Sequence, residues 1–155
     1  MADLNIVLVE PEIPQNAGNV ARTCACVGAR LHLVEPMGFR LSERQMKRAG
    51  LDYWDEVEIE RYPSMNHFLE YAAGRELHFF TGQAERIYTD VEYGKDAFLL
   101  FGRESAGINP EILEAHKNQC LRIPMRDGLR SLNLSNAVAI ASYEVLRSWD
   151  FRGLL

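Results

Sequence analysis

The chain has 155 residues, of which 47% are hydrophobic and 25% charged, with a formal net charge of −5. That balance is ordinary for one globular domain and excludes a low-complexity or collagen-like chain. The acidic total also argues against a non-specific nucleic-acid binder, which usually carries a strongly basic domain. It leaves room for a local basic patch.

No apolar run reaches the ~20 residues that a membrane helix needs, and the first residues, Met1 to Asn5, lack the basic stretch of a secretion signal. Cys24, Cys26 and Cys120 match neither a redox nor a zinc spacing. His32, His67, His78 and His116 form no recognisable ligand pair. We therefore expect a single domain over 1–155 that is cytoplasmic, holds no metal and meets no membrane.

In chain order, Leu4–Val9 is a short apolar strand. Asn16 to Gly28 is a helix, with Asn16 placed as its N-cap and Gly28 as its stop. Arg30–Val34 is a second strand. Ser42 to Ala49 is a short helix in which Arg44, Lys47 and Arg48 share one face, extended by Arg40. That stripe is either a solvated face or an RNA contact. Val57–Arg61 is a third strand, Pro63–Ser64 opens a helix to about Ala73, and Leu77–Thr81 is a fourth strand. Ala97–Phe101 is a continuous apolar run, the mark of a strand buried on both faces. Asn109–Pro110 caps and opens a helix to about His116. Cys120–Ile123 is a last strand, and a final helix spans about Ser135 to Trp149.

Strands alternating with helices define an α/β domain, a mostly parallel sheet flanked by helices. In such sheets ligands bind beyond the carboxyl ends of the strands. Three segments there carry polar chemistry. Glu10–Asn19 holds two prolines and the amides of Asn16 and Asn19, with Arg22 further along the helix. Phe101–Asn109 has the spacing G-x-x-x-x-G, but no lysine follows to reach a phosphate. Its glycines allow backbone to approach a ligand, and Glu104 adds a carboxylate. Arg122–Asn136 is longer than an ordinary strand-to-helix connection. Its Arg126 and Arg130 suit phosphate, and Ser131 and Asn133 suit a sugar hydroxyl or a cofactor carboxylate, unless the segment is only a helix cap built from Ser135 and Asn136. Tyr143 and Trp149, on the final helix with Ala137, Ile140 and Val145, are either core or a dimer seam.

These three segments resemble the motifs of the SPOUT superfamily of RNA methyltransferases, in its compact SpoU-like branch. The matching stretches are Asn16–Arg22, Phe98–Ile108 and Arg122–Ala137. Glu10–Pro14 and Arg48–Tyr53 resemble the members that act on the tRNA wobble nucleotide. The resemblance implies a C-terminal trefoil knot and a homodimer. It implies S-adenosylmethionine as methyl donor and the 2′-oxygen of cytidine or uridine 34 as acceptor, notably in leucine tRNAs. It places the cofactor among Phe80, Thr81, Gly102, Ile123 and Ser131. Glu104 and Asn133 would line the transfer mouth, with Asn16 holding the region of Arg22. Arg22 would carry the chemistry. An isolated guanidinium is a poor base, so its expected role is to bind the neighbouring phosphate and stabilise charge on the oxygen. Arg40, Arg44, Lys47, Arg48, Arg126 and Arg130 are the expected RNA contacts. Three alternatives stay open: a SPOUT enzyme acting on another tRNA position or on rRNA, a silent RNA-binding module, and a flavodoxin-like small-ligand protein.

Overall fold

The computed structural model describes residues 3–39 and 54–155. Within them six short strands form one parallel sheet: β1 (Asn5–Val9), β2 (Arg30–Val34), β3 (Ile59–Tyr62), β4 (Leu77–Phe80), β5 (Phe98–Phe101) and β6 (Cys120–Leu121). Their spatial order is β3-β2-β1-β5-β4-β6. Four α-helices accompany them: α1 (Pro14–Val27), α2 (Met65–Tyr71), α3 (Pro110–Ala115) and α4 (Leu134–Ser148). The predicted helix over 42–49 and its cations Arg40, Arg44, Lys47 and Arg48 lie outside the described residues.

Successive strand residues point to opposite faces, so the apolar runs divide into two cores. Ile6, Leu8, Leu31, Leu33, Leu99 and Phe101 pack with Val20, Cys24, Val138, Ala141 and Val145 of α1 and α4. Val7, Val9, Val34, Phe79, Phe98 and Leu100 pack with Met65 and Phe68 of α2 and, less deeply, Ile112 and Leu113 of α3. Every residue of β1 and β5 is buried. These two strands are hydrogen-bonded neighbours, Ile6 opposite Leu99. From β1 the chain leaves through α1 toward β2 on one side. From β5 it leaves through α3 toward β6 on the other. The gap between their carboxyl ends is therefore the switch point of the sheet, where open α/β folds bind ligands.

Local signals set most helix ends. Gly28 terminates α1 in the left-handed region at φ 73°, and its N–H returns to the Cys24 carbonyl. Ser64 accepts from the His67 amide at the start of α2, and Asn109 accepts from the Glu111 amide at the start of α3. Two expectations need correction. Asn16 is not the cap of α1: Pro14 occupies the first turn and Ile13 the cap position, with no side-chain cap bond. The cap of α4 is Asn133, which accepts from the amides of Ser135 and Asn136, rather than those two residues themselves. The last strand is also shorter than expected. Its pairing with β4 ends at Leu121, and Arg122 instead bridges to Ile87.

One buried polar group interrupts the second core. His32 is fully buried among Tyr62, Phe68 and Phe98. Its Nε2 lies 2.9 Å from Asn5 Oδ1 and its Nδ1 2.9 Å from the Tyr62 hydroxyl. An amide oxygen only accepts, so Nε2 carries the proton and Nδ1 accepts from Tyr62. Burial, with the positive Arg30 and Arg75 nearby, lowers its pKa to about 4.

Candidate active site

At the switch point the β1–α1 and β5–α3 loops meet. The Glu104 carboxylate accepts from the backbone amides of Glu12 (2.9 Å) and Ile13 (3.1 Å) and from Asn16 Nδ2 (3.3 Å). It thus places a negative charge, from a distant loop, at the two residues that lead into α1, whose own side chains supply no cap. Asn16 is buried and passes the link onward: its Oδ1 accepts from Asn133 Nδ2 at 3.1 Å. The Asn133 Oδ1 in turn accepts from the Ser135 amide and hydroxyl and the Asn136 amide. The three segments singled out in the sequence are therefore tied by one chain of hydrogen bonds, Asn133 to Asn16 to Glu104.

The loop after β5 is rigid. Arg103 and Gly107 exchange two backbone hydrogen bonds. A Cβ at Gly102 would sit 2.2 Å from the Gly107 carbonyl carbon and the Ile108 nitrogen, so only glycine fits there. Beside it run β4 and β6. Phe80 stacks on Phe101 with ring centroids 4.8 Å apart, and the Thr81 amide donates to the Leu121 carbonyl. Ile123 packs partly buried against the first core, whereas Ser131 is exposed. Phe80, Thr81, Gly102 and Ile123 thus lie at or just beyond the carboxyl ends of three neighbouring strands, β4, β5 and β6.

The remaining expected residues are more spread out. Arg22 is exposed on α1, on a stripe with Gln15, Asn19 and Cys26, and it makes an interaction of its own. Arg126 and Arg130 are exposed in the segment leading to Asn133. Tyr143 and Trp149 part company: Tyr143 is half exposed, while Trp149 is partly buried and its indole N–H donates to the Tyr93 carbonyl. Cys24 is buried and its thiol is pushed up to about 12, so it is inert. Among the described residues no three His, Cys, Asp or Glu side chains gather as metal ligands, and no helix is long and apolar enough to cross a membrane.

Glu12 and Ser105 received no role in the sequence reading, yet they join the same loops. Ser105 donates from its amide (2.9 Å) and its hydroxyl (2.7 Å) to Glu12 Oε1, and the hydroxyl also lies 3.0 Å from Oε2. These bonds, with the positive Arg103, hold the Glu12 carboxyl below the usual carboxylate range. No local sequence signal marks a pair that is 93 residues apart.

A parallel sheet covered on both faces, with a rigid glycine turn and a polar relay at its switch point, defines an α/β protein whose ligand site lies at the strand carboxyl ends. The model of the SpoU rRNA Methylase family matches residues 3–143, and the chain belongs to that family. It is 44% identical over 153 residues to the tRNA (cytidine(34)-2′-O)-methyltransferase of Aeromonas hydrophila, covering 98% of each chain. A solved structure described as "Structural insights into the 2-OH methylation of C/U34 on tRNA" superposes with a TM-score of 0.90 at 44% identity, covering 97% of this chain and 99% of that one. An S-adenosylmethionine-bound rRNA methyltransferase from Sinorhizobium meliloti superposes with a TM-score of 0.82 at 27% identity, over 94% of this chain and 56% of the other.

Proposed function

We propose that this protein transfers a methyl group from S-adenosylmethionine to the ribose 2′-oxygen of the wobble nucleotide, cytidine or uridine 34, of tRNA. The observation that carries the reading is the Asn133–Asn16–Glu104 relay, which joins all three motif segments at the switch point. The relatives named for cytidine 34 methylation support the choice of substrate.

The residues at the strand ends fit such a cofactor. Phe80 and Ile123 offer apolar surface for an adenine, the turn at Gly102 offers backbone, and Thr81 and Ser131 offer hydroxyls for the polar parts. Bound there, S-adenosylmethionine supplies an electrophilic methyl group. Glu104 and Asn16 hold the start of α1 in place, and Asn133 sets the approach of the last loop. Arg22, further along α1, binds the phosphate next to the target ribose and stabilises the negative charge that develops on the 2′-oxygen. Fixing those groups in advance accounts for much of the rate, since alignment alone lowers such barriers by several kcal/mol. Arg126 and Arg130 contact the RNA backbone.

The active form in this reading is a cytoplasmic homodimer. Ile140 and Tyr143 are exposed on α4, which packs with α1 on one sheet face, and they supply the apolar groups of the seam. That seam brings Arg22 of the partner subunit toward the cofactor. The reading includes a trefoil knot, and contacts of the 81–97 loop with the last third of the chain are in keeping with it: the Tyr88 N–H donates to Arg122 O, and the Trp149 indole N–H donates to Tyr93 O.

The test is methyl transfer from labelled S-adenosylmethionine to total tRNA, followed by mapping of the label. We expect one labelled 2′-O-methyl nucleotide, at position 34, chiefly in leucine tRNAs. Label at another position, or in rRNA alone, would replace this substrate with a different one.

A further inference from the structure

We infer that Glu12 and Ser105 are positioning residues of the transfer site, a latch that sets where the β5–α3 turn sits against the start of α1. The inference rests on the methyl-transfer reading above and extends it to two residues with no assigned role.

The two loops exchange carboxylates. Glu104 takes the backbone amides of Glu12 and Ile13, and Glu12 takes the amide and hydroxyl of Ser105. Each loop therefore gives an acceptor and receives one across a separation of more than 90 residues. Charge-assisted bonds of this kind are short and directional. Ser105 is exposed and Glu12 half-buried, so both could be satisfied by water instead. Exposed bonds contribute little to overall stability. What they do supply is geometry.

The geometry matters because the turn is rigid within itself. The Arg103–Gly107 bonds and the close approach at Gly102 make residues 102–108 move as one piece. That piece carries the Gly102 backbone and the Glu104 carboxylate. The facing piece, α1, carries Asn16 and Arg22. The latch therefore sets how the Gly102 backbone and the Glu104 carboxylate sit against the start of α1, where Asn16 ties in the last loop. Glu104 anchors the turn through one side chain, and the Glu12–Ser105 bonds add a second anchor that stops the turn from pivoting about the first.

The experiment compares Glu12→Ala, Glu12→Gln, Ser105→Ala and the double variant Glu12→Ala/Ser105→Ala in the full chain. The readouts are kcat and KM for tRNA methylation, affinity for S-adenosylhomocysteine, and amide hydrogen exchange. For Glu12→Ala we expect kcat to fall about tenfold, in line with the rate cost of small misplacements, with tRNA KM and S-adenosylhomocysteine affinity within twofold of wild type. Exchange at Ile13 should accelerate, because the Glu104 bond to it loosens. Glu12→Gln should restore most of the rate, since one oxygen, Oε1, already accepts both Ser105 donors. The double variant should be no slower than Glu12→Ala, the mark of two residues acting as one unit. An unchanged kcat in Glu12→Ala, or additive losses in the double variant, would overturn the latch. The exchange measurement separates the two hypotheses: a wild-type chain inactive on tRNA sinks the substrate reading, while faster exchange at Ile13 in Glu12→Ala still upholds the latch and unchanged exchange sinks it as well.

Discussion

Arg22 and His32 are basic residues with opposite surroundings, and their consequences differ accordingly. Arg22 is exposed on α1 and makes an interaction of its own. Replacing it with alanine should reduce methyl transfer about a hundred- to a thousandfold if it stabilises the developing oxyanion, the scale on which removal of such a donor is felt. S-adenosylhomocysteine affinity, read by calorimetry, should stay within about twofold, because the residues proposed to bind the cofactor lie on the strand ends. Equal loss of both would contradict the role. His32 is fully buried and neutral, with its pKa lowered to about 4. The unfolded chain takes up a proton near the ordinary 6.5, so the unfolded state binds more protons between those values. Stability is therefore complete above about 6.5 and falls as pH drops toward 4, by an amount on the order of 3 kcal/mol. Denaturant midpoints of wild type and His32→Gln at pH 7 and pH 4.5 check this. The variant should lack that share of the pH dependence.

Among elements, α4 depends on one residue for two tasks. The Asn133 Oδ1 caps the helix and its Nδ2 reaches Asn16. Asn133→Asp keeps the capping oxygen and removes the donor, so it should hold thermal stability while lowering kcat. Asn133→Ala removes both and should also cost about 1 kcal/mol of stability. A melting curve beside a rate measurement separates the two tasks. The elements also mark where local chemistry is legible. Gly28 stops α1, Asn109–Pro110 opens α3, and Phe98–Phe101 is a fully buried strand, each as its own residues dictate. Asn16 misleads for a physical reason: an asparagine near a helix start has the chemistry of a cap, but here Pro14 opens α1 and the Asn16 side chain bonds Glu104, 88 residues away. Freed from that task, Asn16 joins two loops. β6 is shorter than its apolar pattern because Arg122 bridges to the 81–97 loop.

For the whole molecule, the surface feature with the largest consequence is the apolar patch on α4. Ile140 at 39% and Tyr143 at 49% exposure leave large apolar groups on a helix whose other side is core. Buried at a two-fold seam, they would be intolerant of charge. Ile140→Asp/Tyr143→Glu should therefore give a monomer by sedimentation and, if Arg22 acts across the seam, lose methyl transfer while each chain stays folded. An unchanged sedimentation coefficient would remove the seam from this face.

The residues by themselves determined the alternation of strands and helices, the burial of β1 and β5, and the three polar segments that carry the site. Periodicity, caps and turn residues act over a few positions, and a chain of letters displays them directly. Tertiary structure decided which loops touch: that Glu104 holds the entry to α1, that Glu12 holds Ser105, that Asn133 meets Asn16, and that Tyr143 faces outward while Trp149 turns in. Those pairings join positions as many as 117 residues apart, and only the order of strands in the sheet brings their ends together.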